Sequence, residues 1–173
     1  MSTSVVDHAY AAVRRQHTLA VPYERFGRAF ESLLRVMQVD ALRNIAELSP
    51  AEARARLASF VGPLEFSLFQ KLDHGTLLTV LTGRSVRATT YVFGNALIAV
   101  EMTKHSPTVG LYVPLRLYVR ATGPSETEAT YDLPSKAVSQ FGSPEANEVA
   151  RALDSKVERI IVEAATLAGS DAA

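Results

Sequence analysis

An alternation of apolar and polar residues from Val109 to Ala121 constrains the fold of this chain most. Every second position in this stretch is apolar, in the order Val109, Leu111, Val113, Leu115, Leu117 and Val119. Side chains on a strand point alternately to opposite faces, so the pattern predicts a long β-strand with one core face and one mixed face. Pro114 cannot donate to a sheet ladder, and we therefore expect an edge position or a bend there.

Further strands are predicted on both sides of this one. Phe66–Leu72 and Arg87–Phe93 are extended runs, the second rich in β-branched and aromatic residues. After a turn at residues 123–125, Glu128–Asp132 is expected to pair back as a hairpin. His17–Val21 is a short extended piece closed by Pro22. Together these segments predict a largely antiparallel sheet.

Helices are predicted from apolar stripes and start signals. These segments are a weak helix over residues 5–15, an amphipathic helix from Tyr23, a capped helix beginning at Ser49–Pro50, a short helix after Asn95 and a long helix from Ser143. Residues 73–83 (DHGTLLTVLTG) fit either a turn plus a strand or a single helical turn, and periodicity does not decide between them.

The segments together predict one α+β domain, with a largely antiparallel sheet covered on one face by helices. We place that domain at residues 17–168, after an N-terminal helical extension at 1–16 and before a disordered tail at 169–173. No repeat or low-complexity linker divides the 173 residues, and a chain of this length buries enough surface to need no disulfide or metal.

Composition excludes several classes of protein. The chain has no cysteine, so disulfides, thiolate nucleophiles and Cys-type zinc sites are excluded. Its 18 basic residues balance its 18 acidic ones and form no long basic run, which argues against nucleic-acid binding. The first twenty residues lack a signal-peptide core, and the longest uncharged stretch, between Arg87 and Glu101, is too short to span a membrane. We expect a soluble cytoplasmic protein.

Four motifs in order along the chain are similar to a known family. They are DHG at 73–75, YVFGNALIAVEMTKHSP at 91–107, LYVPLR at 111–116 and TYDLPS at 130–135. The chain resembles the domain of unknown function 302 family over roughly residues 17–165, with an insertion-like helical stretch near 39–60. The resemblance implies a compact α+β fold similar to the TATA-binding-protein-like class, and it suggests small dimers. It brings no established activity or cofactor.

One residue departs from the family pattern. Where the family usually has proline after the Gly-Asn pair, this chain has Ala96. A proline in the first turn favours a helix start only modestly, so we expect the helix after Asn95 to form nonetheless.

Asp73 and His74 are candidate site residues at the end of a predicted strand. An acid beside an imidazole can fix its tautomer and raise its pKa, as in a general base. Alternatively Asp73 caps a turn and His74 fills a half-buried position. Neighbouring residues on a strand point to opposite faces, so the two side chains need not touch. No Ser or Thr stands in a nucleophile motif, and we assign no catalytic residue.

Two further groups are candidates for ligand binding. Gly94 and Asn95 would either present backbone N–H groups to an anion or form an ordinary helix start with an Asn cap. A second group consists of side chains on one face of the long predicted strand, namely Tyr112, Arg116, Tyr118 and Arg120. These would bind an acidic or planar ligand, or form a contact surface in which Tyr and Arg are favoured. Tyr131 and Asp132 are expected to close the hairpin.

Metal binding is not predicted. His74 and His105 are the histidines inside the matched motifs, and two imidazoles that far apart are a poor metal signature. His105 is better explained as a cation at a helix C-terminus.

Three functions stay open from the sequence. The first is a non-enzymatic binding or scaffold domain that forms a homodimer. The second is a small-molecule pocket between the sheet and the closing helix, bordered by His74, Asn95 and Arg116. The third is an enzyme that uses His74 as acid or base with Asp73 or Tyr131 nearby. The tentative ligand-binding residues across these hypotheses are Asp73, His74, Asn95, Tyr112, Arg116 and Tyr131.

Overall fold

The computed structural model describes residues 3–170, without the side chains of residues 39 and 41. Its strands are β1 (Arg14–Leu19), β2 (Arg35–Val36), β3 (Ser67–Asp73), β4 (Ala88–Gly94), β5 (Leu115–Gly123) and β6 (Glu126–Asp132). They form one sheet in the order β1-β6-β5-β4-β3-β2. Every neighbouring pair is antiparallel except β2 and β3. The predicted α+β class and the largely antiparallel sheet are confirmed.

Six α-helices connect and cover the strands. They are α1 (Tyr23–Ser32), α2 (Pro50–Ala58), α3 (His74–Thr82), α4 (Ala96–Thr103), α5 (Pro134–Ser139) and α6 (Pro144–Ser170). Three short 3₁₀ segments lie at Val39–Leu42, Ile45–Glu47 and Pro107–Tyr112. Among residues 3–170, no helix is both long enough and apolar enough to cross a membrane.

The core lies between the sheet and the pair α1 and α6. Phe30 of α1 contacts Tyr91 and Phe93 of β4, with ring centroids 5.1 and 5.5 Å apart. From α6 a stripe at helical spacing is buried, namely Ala146, Ala150, Leu153, Val157, Ile160, Ile161, Ala164 and Ala168. This stripe is the amphipathic pattern that predicted the closing helix, and the prediction is confirmed.

The predicted helix starts after Ser49 and Asn95 are also confirmed. The Ser49 hydroxyl accepts from the Glu52 backbone N–H, while the Glu52 carboxylate accepts from the Ser49 N–H at 2.9 Å. This reciprocal pair is a capping box, which satisfies two backbone donors that a helix end would leave unpaired. Asn95 caps α4, which begins at Ala96 without the proline usual in the family.

The helix predicted over residues 5–15 is wrong. Residues 3–13 form no helix, and β1 begins at Arg14, ahead of the predicted domain start at residue 17. Val5 and Val6 stay exposed, so a helix here would gain little burial, and short unsupported helices are marginal in water. Arg14 and Arg15 instead join the sheet opposite Asp132 and Tyr131. Residues 1 and 2 of the predicted extension lie outside the described residues.

The long strand predicted over 109–121 is half right. Residues 107–112 form a 3₁₀ segment in which Val109 is buried and Leu111 is exposed, so the alternating apolar residues do not share one face. β5 begins only after Pro114, where the backbone bends. The predicted bend at Pro114 is therefore confirmed. The alternative of an edge position is wrong, because β5 lies between β6 and β4.

Three other segments complete the comparison with the sequence. Residues 74–82, which periodicity left undecided, form helix α3. The turn expected at Pro134 continues into α5, with Pro134 in the first helical turn. Of the tail predicted at 169–173, residues 169 and 170 complete α6, and residues 171–173 lie outside the described part of the chain.

Candidate functional site

One face of the sheet is left uncovered by α1 and α6, and we call it the open face. Residues that face each other in neighbouring strands lie on the same side of a sheet. The strand register therefore places residues from β1, β4, β5 and β6 on the open face, namely Arg14, Gln16, Thr18, Thr90, Val92, Arg116, Tyr118, Arg120, Glu128, Thr130 and Asp132. Two bidentate ion pairs lie on it, Arg14 with Asp132 and Arg120 with Glu128. The Arg120 guanidinium lowers the pKa of the Glu128 carboxyl.

Asp73 caps helix α3. Its carboxylate accepts from the Thr76 backbone N–H at 2.9 Å and from the Thr76 hydroxyl at 2.6 Å. The Thr76 hydroxyl, followed by its N–H, lowers the pKa of Asp73. The sequence left Asp73 as either a partner of His74 or a backbone cap. The structure agrees with the cap, because the carboxylate binds Thr76 at the start of a helix.

His74 is half-buried at the edge of the open face. Its Nε2 lies 2.9 Å from the Thr90 hydroxyl, and its ring centroid lies 6.3 Å from that of Tyr118. Among residues 3–170, no carboxylate forms a hydrogen bond or ion pair with His74. The Asp-His pair that would prepare a general base is thus not formed in this conformation.

Asn95 uses its whole amide in holding the start of α4. The Oδ1 atom accepts from the Leu97 and Ile98 backbone N–H groups at 2.9 and 3.3 Å. The Nδ2 atom donates to the Glu65 carbonyl at 2.9 Å. Asn95 therefore joins the loop before β3 to α4, as expected of an Asn cap.

Tyr112 and Tyr131 do not share a surface with His74. Tyr112 ends the 3₁₀ segment instead of standing on β5, so it is not aligned with Arg116 on a strand face. Tyr131 points into the helix-covered core, where its ring stacks on His17 at 6.0 Å. Burial raises the pKa of Tyr131. The predicted proximity of His74 to Tyr131 is wrong. His74 lies against Thr90 of the open face, whereas Tyr131 follows Thr130 of that face and so points to the opposite side of the sheet.

Two adjoining cavities lie at the end of the sheet, beside Pro114. The first, which we call the apolar cavity, has about 230 Å³ and is lined by Phe69, Gly94, Asn95, Ala96, Ile98, Ala99, Met102, Val113, Pro114, Leu115 and Leu153. The second, the Arg116 cavity, has about 340 Å³ and is lined in part by Tyr10, Tyr112, Arg116 and Asp132. Both are lined by Met102, Val113, Pro114, Leu115 and Leu153.

His74, Asn95 and Arg116 do not meet in one pocket. Asn95 lines the apolar cavity, Arg116 lines the neighbouring cavity, and His74 lines a shallow depression on α3. The convergence predicted from the sequence is therefore wrong. His74 begins α3, Asn95 precedes α4 and Arg116 is the second residue of β5, and these elements start at different places around the sheet.

Comparison with known proteins identifies the family. The sequence model described as "Domain of unknown function DUF302" matches residues 43–164. The chain belongs to the DUF302 family. The match begins inside the stretch 39–60 that resembled an insertion. No curated protein matches this chain significantly in sequence.

A solved DUF302 structure has the same fold. This chain is similar to the crystal structure of an uncharacterised conserved DUF302 protein from Bacillus stearothermophilus, with a TM-score of 0.60 and 12% sequence identity. The alignment covers 87% of this chain and 96% of that one. At this identity the similarity concerns the fold alone.

In this DUF302 chain, the sequence analysis did not predict an exposed apolar surface on helix α3. Helix α3 leaves four aliphatic side chains in solvent, Leu77, Leu78, Val80 and Leu81, which we call the α3 patch. A helix that is apolar all round is usually buried, so the run LLTVL was a signal of unusual burial or of a contact surface. Leu77, Leu78 and Leu81 form a depression together with Tyr118 of the open face.

His74 and His105, the histidines considered as metal ligands, belong to no cluster of metal-binding side chains among residues 3–170. Within the part of the chain that the structure describes, no group of three or more His, Asp or Glu side chains is placed to hold a metal ion. His105 follows the C-terminus of α4, the place expected for a cation near the helix dipole.

Proposed function

We propose that this DUF302 chain is a non-enzymatic binding domain that forms a homodimer through the α3 patch and the neighbouring open face. The exposure of α3 carries this proposal. Leu77, Val80 and Leu81 are 62, 75 and 80% exposed, although α3 has no charged residue to keep it in water. Contiguous apolar surface of this kind marks a contact site on a soluble protein.

The open face extends the α3 patch into a larger surface. Tyr118 lies beside Leu77, Leu78 and Leu81, so apolar contact continues from the helix onto β5. Tyrosine and arginine are enriched where proteins meet, and the open face carries both. A stable interface buries about 800 Å² from each partner. The sheet surface beside α3 adds to the area that the patch can contribute.

The charges of the open face suit a second copy of the same chain. In a twofold contact each surface meets itself, so an excess of one charge would repel. Here four of the five charged side chains are paired within one protomer, Arg14 with Asp132 and Arg120 with Glu128, and Arg116 leaves an excess of one positive charge. The chain as a whole has a formal net charge of zero, which removes long-range repulsion between copies.

Sedimentation velocity on the wild-type chain and on two variants tests this proposal. At micromolar concentrations, we expect the wild type to sediment as a species with twice the chain mass of 18.8 kDa. The double variant Leu77→Glu/Leu81→Glu places charges in the α3 patch and should sediment as a monomer. Val162→Glu is the matched control, because Val162 is an exposed aliphatic residue on α6, and it should leave the dimer intact.

Two results would refute self-association through α3. One is a monomeric wild type throughout the micromolar range. The other is a dimer that persists in the double variant with native circular dichroism, which would move the interface to another surface. Because the substituted residues are exposed, loss of the fold is not expected to confuse the result.

A second candidate function, the binding of a small molecule, is favoured by the apolar cavity. Pockets that bind ligands are concave and mostly apolar, with a few polar groups that orient the ligand. The apolar cavity fits the first part of that description, and the Arg116 cavity adds polar groups beside it.

A further inference from the structure

The two cavities beside Pro114 differ in chemistry while sharing a wall. The apolar cavity is lined by aliphatic, aromatic and Met side chains, with Asn95 as its polar residue. The amide of Asn95 is already engaged with α4 and Glu65, so it offers little to a ligand. Polar recognition at this site must therefore come from the Arg116 cavity next to it.

Arg116 is the residue there with a charge to offer. It is exposed at the start of β5, two residues after Pro114, and no carboxylate among residues 3–170 pairs with it. Asp132 lines the same cavity, but Arg14 holds it with two hydrogen bonds at 2.8 and 3.2 Å. A guanidinium has donors spaced to bind a carboxylate through two parallel hydrogen bonds.

The N-terminal segment closes one side of the Arg116 cavity. Tyr10 lines this cavity, and its ring packs edge-on against Tyr112 with centroids 5.8 Å apart. Tyr112 in turn contacts Phe141 at 5.8 Å. The Leu133 N–H donates to the Val13 carbonyl at 2.8 Å and holds the segment against the body of the protein. The rim around the Arg116 cavity is thus aromatic and amphipathic.

We infer that these cavities together bind a small amphipathic monocarboxylate. Its apolar chain lies in the apolar cavity between α4 and Leu153, and its carboxylate is bound by Arg116. The apolar cavity is smaller than the roughly 300–1,000 Å³ typical of ligand pockets, and the Arg116 cavity is near the lower end of that range. These volumes favour a medium-length chain over a long lipid. This inference rests on the second candidate function and specifies its ligand class.

Isothermal titration calorimetry with three probes tests it on the full chain. Octanoate carries both features of the ligand, 1-octanol keeps the chain without the charge, and acetate keeps the charge without the chain. We expect the wild type to bind octanoate at least about tenfold more tightly than 1-octanol, which equals about 1.4 kcal/mol. Acetate should show no binding.

Variants separate the two ends of the ligand. Arg116→Gln should lose the preference for octanoate while leaving 1-octanol binding unchanged. Ala99→Leu fills the apolar cavity and should weaken both probes. Arg28→Gln, which removes an exposed guanidinium on α1 that lines neither cavity, is the control and should behave as the wild type.

The outcomes distinguish failure of the inference from failure of the function on which it rests. If octanoate and 1-octanol bind equally, or if Arg116→Gln keeps the preference, the role of Arg116 is refuted and the cavity remains a ligand site. If neither probe binds, or if Ala99→Leu changes nothing, the cavity does not bind such ligands and both proposals fall. Unchanged thermal melting of each variant confirms that the fold is retained.

Discussion

Helices α3 and α4 are built alike and end up in opposite environments. Each follows a strand directly, each starts with a side-chain cap, and each is short and strongly apolar. α4 packs against α6 and buries Met102 almost completely, while α3 leaves Val80 and Leu81 in solvent. A short apolar helix is therefore buried only where the rest of the chain supplies a partner for it.

The difference between the two helices arises from the side of the sheet on which each lies. α4 reaches the face covered by α6, whose stripe closes over it. α3 lies beside the open face, where Gly75 allows its backbone close to the residues that precede β4. Among residues 3–170 no segment covers the α3 patch, and this exposure is the observation on which the proposed dimer rests.

The largest expected effect separates the two helices by core packing. Met102→Ala should lower the free energy of unfolding by about 2–5 kcal/mol, because it leaves a cavity beside α6. Leu81→Ala should change it by about 0.5 kcal/mol or less, because that side chain is 80% exposed. Urea denaturation at low protein concentration, where self-association contributes little, measures both. Equal losses would show that α3 is covered within the monomer.

Substitution by alanine should change the free energy of unfolding differently at Gly75, in the first turn of α3, and at Gly94, just before the Asn95 cap of α4. A Cβ at Gly75 would lie 2.5 Å from the Val86 carbonyl oxygen and 2.8 Å from the Ala88 nitrogen. Backbone atoms cannot move aside easily, so Gly75→Ala should cost about 1–3 kcal/mol despite the better helix propensity of alanine.

At Gly94 the added methyl group would meet Pro114 and Phe69 at 3.5 and 3.6 Å, which is ordinary contact. We expect Gly94→Ala to stay within about 0.5 kcal/mol of the wild type in the same denaturation experiment. A stable Gly75→Ala variant would mean that α3 can lift away from β4.

The two N-caps should differ in their response to pH. Asn95→Ala should cost about 1 kcal/mol at any pH, because an amide does not titrate. The pKa of Asp73 is lowered below its ordinary value of 3.8 by the Thr76 hydroxyl and N–H. Its stabilisation is therefore complete above that value and is lost as the pH falls through the lowered pKa.

Asp73→Asn keeps a capping oxygen and removes the titration. We expect a smaller loss of stability in this variant than in the wild type when urea denaturation is compared at about pH 5 and about pH 2. This is the smallest of the expected effects, since the carboxylate is exposed to solvent. An identical pH dependence in both proteins would contradict an ionised Asp73 cap.

Local signals predicted the elements that such signals control. Ser49 with Glu52, and Asn95 before α4, are caps whose partners lie within three residues, so the sequence contains everything that forms them. The stripe of α6 and the hairpin of β5 and β6 are likewise local patterns. The alternation of apolar and polar residues at 109–113 wrongly predicted a strand. The segment is a 3₁₀ turn in which Val109 is buried and Leu111 is exposed, so residues that alternate in the sequence do not share one face in the structure.

The candidate site was predicted less well than the fold. Asp73 was correctly weighed as a cap, and His74 was correctly expected to be half-buried. Their neighbours could not be predicted, because Thr90, Tyr118 and the Pro114 cavities come from distant parts of the chain. Which face of the sheet a strand residue occupies depends on register, and this put Tyr131 in the core, away from His74.

The sequence by itself determined the α+β class, the family, the main strands and helices, and the caps that start them. These follow from propensity, periodicity and hydrogen bonds between near neighbours, which act over a few residues. Only the tertiary structure decided that α4 is buried and α3 is not, and that Arg116 stands beside an apolar cavity. Burial and cavities are made by surfaces that meet from distant segments, and that meeting depends on the whole sheet.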